Sequence, residues 1–150
     1  MDEAQLGLLL LALPGGVILM NPLSVPLIAW LGASRLSRLC LSLTAVFFVF
    51  PTMMPGIWGV AAMLFLSGMF FSTTNIAMNT CAANIEEAKG IHIIASCHGL
   101  WSIGAMFGAM TVSGLLGMGM TPISVMLLLA VLIGLIALAL GIPMADLPPD

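Results

Sequence analysis

The chain has 150 residues, of which 61% are hydrophobic and 6% charged, with a formal net charge of −3 and a mean hydropathy of +1.23. A soluble domain carries roughly 25% charged residues, so this composition cannot cover a water-facing surface. Its 3 basic residues also leave no patch for nucleic acid.

Charge is confined to four short places: Asp2 and Glu3; Arg35 and Arg38; Glu86, Glu87 and Lys89; Asp146 and Asp150. A helix crossing roughly 30 Å of hydrocarbon needs about 20 apolar residues and satisfies its own backbone. The uncharged stretches have that length and predict transmembrane helices over 5–31, 36–54, 57–83, 93–116 and 122–142. The run around residue 130 lacks the alternation of a barrel strand, so the expected fold is all-α: one polytopic membrane bundle over 1–150.

The first helix begins behind acidic Asp2 and Glu3, unlike the basic start of a secretory signal, and is read as a retained span. Pro14, Gly15, Gly16, Pro22 and Pro26 should kink it. Asn21 and Ser24 share one of its faces, and Trp30 falls at the membrane boundary, where indole rings anchor. Arg35 and Arg38 follow in a loop, and Pro55-Gly56 marks the turn after the second span.

On the third span, where Trp58 is a second boundary anchor, Asn75 and Asn79 stand four apart and therefore on one face. On the fourth, His98, Trp101, Ser102 and Ala105 form a stripe, while Gly104 and Gly108 predict close packing against another helix. Polar groups at membrane depth face a bundle interior or a wet cavity. Asn75, Asn79, His98, Trp101 and Ser102 are therefore the candidate pathway residues, with interhelical hydrogen bonding as the competing role. His92 at the loop edge is read as solvated. The turn at Gly117-Met-Gly119 precedes the fifth span, which Pro143, Pro148 and Pro149 should end.

Lys and Arg in short loops stay on the cytoplasmic side. Arg35, Arg38 and Lys89 lie in the first and third loops, so the amino terminus is expected outside and the carboxyl terminus in the cytoplasm. Cys40, Cys81 and Cys97 all fall within spans and are odd in number, reading as small buried hydrophobes rather than a disulfide framework or zinc site. No His-Glu-x-x-His, carboxylate pair at membrane depth or nucleophile beside a base is present. Neither catalysis nor a cofactor is expected.

The stretch Asn75-Ile-Ala-Met-Asn79-Thr-Cys-Ala-Ala-Asn84-Ile-Glu86, followed by His98-Gly-Leu-Trp101-Ser102-Ile-Gly104-Ala-Met-Phe-Gly108, resembles the sugar-permease-like (fucose-permease-like) branch of the major facilitator superfamily. Ser34-Arg35-Leu36-Ser37-Arg38 stands where that superfamily carries Asp-Arg-x-Gly-Arg, keeping both arginines and losing Asp and Gly. Asn75 replaces the acid of relatives, which removes a proton-carrying carboxylate.

The resemblance implies that the five spans correspond to helices two to six of a twelve-helix transporter in the cell inner membrane. Its substrate would be a small polar solute such as a sugar, and Arg35, Arg38 and Glu86 would form a cytoplasmic gate. Helix one and the second half would be supplied by a missing segment or by a second copy. The other reading left open is a structural or assembly subunit that moves nothing.

Overall fold

The computed structural model describes residues 3–144. Asp2, Asp146, Asp150, Pro148 and Pro149 lie outside that range. The chain forms α1 (Glu3–Leu31), α2 (Ala33–Phe47), a 3-10 turn (Phe50–Thr52), α3 (Ile57–Lys89), α4 (Ile94–Gly117) and α5 (Pro122–Met144). Five helical stretches, 3–31, 33–52, 57–89, 94–117 and 122–139, are long and apolar enough to cross a membrane. The fold is an all-α bundle of membrane-spanning length, as the charge-free stretches predicted.

The boundaries differ from expectation where charges were read as loop. Arg35 and Arg38 lie in the first turns of α2, which starts three residues earlier than expected, and α3 continues beyond residue 83 to Lys89. Helices can outlast the hydrocarbon and carry charged turns into the headgroup layer, because their hydrogen bonds are internal. α1 runs through Pro14, Pro22 and Pro26 as one helix, and α5 runs through Pro143. Reversal between α1 and α2 falls on Gly32, whose φ of 80° a side chain would oppose.

α3 is the centre of the bundle. α1 and α2 lie along it and α5 lies along α2, whereas α4 touches α3 and α5 at few points. Small residues make the tight seams: Ser24, Ala33, Ser67 and Ala77 are fully buried. Leu36, Cys40 and Ala77 form a core cluster on which Leu27, Ile28, Leu31 and Phe70 pack. Phe47 extends this contact, its ring 4.9 Å from that of Phe70.

Large side chains such as Leu10, Leu11, Ile18, Leu132 and Leu138 point outward. This inverts a soluble core and suits lipid, where association depends on close dispersion contact between small-faced helices.

α1 and α3 cross backbone to backbone at Gly16 on α1 and Gly68 on α3. A Cβ at Gly16 would collide with the Phe65 carbonyl oxygen, and one at Gly68 with the Leu13 carbonyl oxygen. Among the described residues, the expected pair, Gly104 and Gly108, makes no such crossing with another helix: a Cβ at either meets nothing within 4 Å. The physical reason is the position of α4, which stands at the margin of the bundle with no buried residue.

Candidate functional site

Polar side chains concentrate on α3 and on the helices beside it. Asn79 donates from Nδ2 to Asn75 Oδ1 at 2.8 Å, which fixes both amides along one face of α3. One turn toward the start of α3, Ser72 Oγ donates to Asn21 Oδ1 on α1. Beside that bond, Ser24 Oγ and Thr73 Oγ1 lie 3.1 Å apart. Each of those hydroxyls also lies within reach of its own helix, Ser24 to Met20 O at 2.9 Å and Thr73 to Met69 O at 3.1 Å. A hydroxyl has a single proton, so one donates across the seam while the other bonds within its helix.

α4 brings its polar stripe to the edge of this region through one aromatic contact. The Trp101 ring lies 5.7 Å from Phe71, tilted by 55°. Phe71 and Asn75 are four apart on α3, separated by about 40° around the helix at about 100° per residue. Trp101 therefore meets α3 one turn from the Asn75–Asn79 pair. His98 and Ser102 flank Trp101 on α4 and are exposed, with Ser102 Oγ donating to His98 O at 3.2 Å. The opposite face of α4 carries Leu100, Ile103 and Phe107, all exposed.

The seam is neutral in character. Charged residues among those described are Glu3, Arg35, Arg38, Glu86, Glu87 and Lys89, each in a terminal turn or close to a helix end. A primary amide offers two donors and two lone pairs, and a hydroxyl one donor with two lone pairs. The arrangement can thus hydrogen-bond a neutral polyhydroxy or amide-bearing molecule, with Trp101 as an apolar wall.

At the other expected cluster, Arg35 is exposed on α2 and Arg38 donates from Nε to Ser34 O at 3.3 Å. Glu86 Oε1 accepts from the backbone N–H of Ile93 and, at 2.8 Å, from that of Ile94. The charge pattern gave no notice of those amide partners. Ser72 and Thr73 were also missed, although three consecutive hydroxyl residues, 72–74, before Asn75 in an apolar helix are a visible signal.

Cys40 and Cys81 are buried and not disulfide-bonded, as expected, whereas Cys97 is exposed because α4 is marginal. His92 is exposed in the α3–α4 connection. Among the described residues, no group of three or more His, Cys, Asp or Glu could hold a metal ion.

An uncharacterized MFS-type transporter of Yersinia pestis is 32% identical over 144 residues, covering 93% of this chain and 36% of that protein. An uncharacterized transporter of Sinorhizobium fredii is 34% identical over 107 residues, 71% of this chain and 28% of that protein. No family model matches the chain. No solved structure matches it either. The chain spans about a third of the length of the curated relatives it matches. In sequence, then, this membrane-helix bundle is similar over most of its length to transporters of the major facilitator type.

Proposed function

We propose that the chain supplies helices two to six of a major facilitator transporter, on the sugar-permease-like pattern, and carries part of its path for a small neutral polar solute such as a sugar. The observation that carries this reading is the approach of Trp101 to Phe71, one helical turn from the hydrogen-bonded Asn75–Asn79 pair. A sugar presents C–H faces that stack on an indole and hydroxyls that need matched donors and acceptors. Trp101 answers the first, and Asn75, Asn79, His98 and Ser102 the second. The role is binding and translocation rather than bond chemistry. In transporters built from repeats, such sites lie near the midplane and the two halves rock about them. A second half would complete the cavity.

The test is water access within the membrane. In a cysteine-free background, Asn79→Cys and Ser102→Cys are expected to react quickly with a water-soluble maleimide. Ile103→Cys and Phe107→Cys, on the bulky face of α4, should stay unlabelled. Equal labelling of both sets, or none at residues 79 and 102, would overturn the reading.

The same proposal sets orientation in the inner membrane. Arg35, Arg38 and Glu86 stand at the α1–α2 and α3–α4 ends, which alternation places on one face, as a cytoplasmic gate requires. With the basic residues retained inside, a reporter fused after residue 150 is expected to be active only in its cytoplasmic form. Activity only in its external form would reverse the orientation.

A further inference from the structure

The α3–α4 corner is built around one carboxylate. α3 ends where Gly90 turns left-handed, at φ 63°, and its N–H donates to the Glu86 main-chain oxygen at 2.8 Å. Four residues after Gly90, α4 begins at Ile94, and Ile93, at the cap position, makes no side-chain cap hydrogen bond of its own. Two of the amides that have no partner within α4, those of Ile93 and Ile94 at its start, are taken by Glu86 Oε1, which accepts from both. A single residue thus closes the end of one helix with its main chain and the start of the next with its side chain. The negative charge also complements the positive end of the α4 dipole.

Among the described residues, the rest of α4 makes few contacts with the other helices. With the described residues as its neighbours, no residue of α4 is buried, and a Cβ at Gly99, Gly104 or Gly108 would meet nothing within 4 Å. Its aromatic contact with α3 is Trp101 on Phe71. Within the chain, the direction of α4 is therefore set mainly at its root. We propose that Glu86 is the latch of the α3–α4 corner, fixing the angle at which α4 leaves the bundle and serving as the root about which α4 swings when released. This inference stands on the corner geometry and does not depend on the transport reading.

Spin labels at Ala62 on α3 and Met110 on α4, both exposed, read that angle by electron–electron distance measurement on the full chain in lipid nanodiscs lacking native cysteines. Met110 lies about 24 Å along α4 from Ile94, so a swing of about 10° moves it by about 4 Å. Glu86→Ala should broaden the distance distribution by about 4 Å or more. Glu86→Gln, which keeps a carbonyl acceptor without the charge, should fall between Glu86→Ala and wild type. Lys89→Ala, a charge change in the same turn of α3, should leave the distribution unchanged. An unbroadened distribution in both Glu86 variants would overturn the latch. So would equal broadening by Lys89→Ala, since the corner would then be responding to loop charge and not to the cap. If Glu86→Ala does not fold, the Glu86→Gln distribution decides alone.

Discussion

Gly68→Leu is expected to abolish the α1–α3 seam, and Gly16→Leu to do the same from the other side. At each position even a methyl group would enter a main-chain carbonyl of the facing helix, Leu13 or Phe65. Backbone cannot step aside as a flexible side chain can. Overpacking inside a core already costs about 1–3 kcal/mol where side chains can adjust, and here two helix axes would have to separate. Separation would also pull apart Ser24 from Thr73 and Ser72 from Asn21, the hydrogen bonds along the same seam.

The comparison that gives this meaning is Gly104→Leu on α4, where added atoms have open space within the chain. Size-exclusion profiles in mild detergent should show loss of the monodisperse species for both seam variants and a wild-type profile for Gly104→Leu. Unchanged profiles for Gly16→Leu and Gly68→Leu would mean that the helices do not cross there.

That crossing also marks the limit of what the sequence discloses. The five helices were legible because charge is excluded from hydrocarbon: the gap from Glu3 to Arg35 holds one span, and the gaps from there to Glu86 and on to the carboxyl-terminal acids hold two each, divided by the turns at Pro55-Gly56 and Gly117-Met-Gly119. The side of each helix that meets a neighbour was not. In lipid the packed face and the outer face are both apolar, so the periodicity that reveals a soluble core is absent. The chain holds 16 glycines, and nothing local distinguishes Gly16 and Gly68, which meet a backbone, from Gly104 and Gly108, which do not.

The candidate site divides along the same line. The Asn75–Asn79 pair was readable from its four-residue spacing and is hydrogen-bonded as the spacing requires. The bonds from Ser72 and Thr73 to α1 join residues about fifty positions apart in sequence and appear only once α1 lies on α3. Glu86 was read as a loop charge beyond the span 57–83 and, by resemblance, as part of a gate. Its amide partners, seven and eight residues on, depend on how sharply the chain turns at Gly90.

The reading of these residues as a solute path is tested most directly by uptake into proteoliposomes containing the full-length transporter to which the chain is proposed to contribute. Asn79→Ala removes the donor that orients Asn75 and one polar partner for a bound hydroxyl. Trp101→Ala removes the stacking wall beside Phe71. Sites built on hydrogen bonds lose heavily when a buried polar group is left unpaired, and a loss of about 1.4 kcal/mol is tenfold in affinity. Trp30→Ala provides the matched control: an indole at the end of α1, 79% exposed and remote from the polar seam in this reading. Wild type and Trp30→Ala should show saturable uptake of a neutral sugar, while Asn79→Ala and Trp101→Ala, at equal protein incorporation, should each fall by at least about tenfold. Uptake by both seam variants at the wild-type rate, or wild-type uptake no faster than empty liposomes across a panel of neutral solutes, would contradict it.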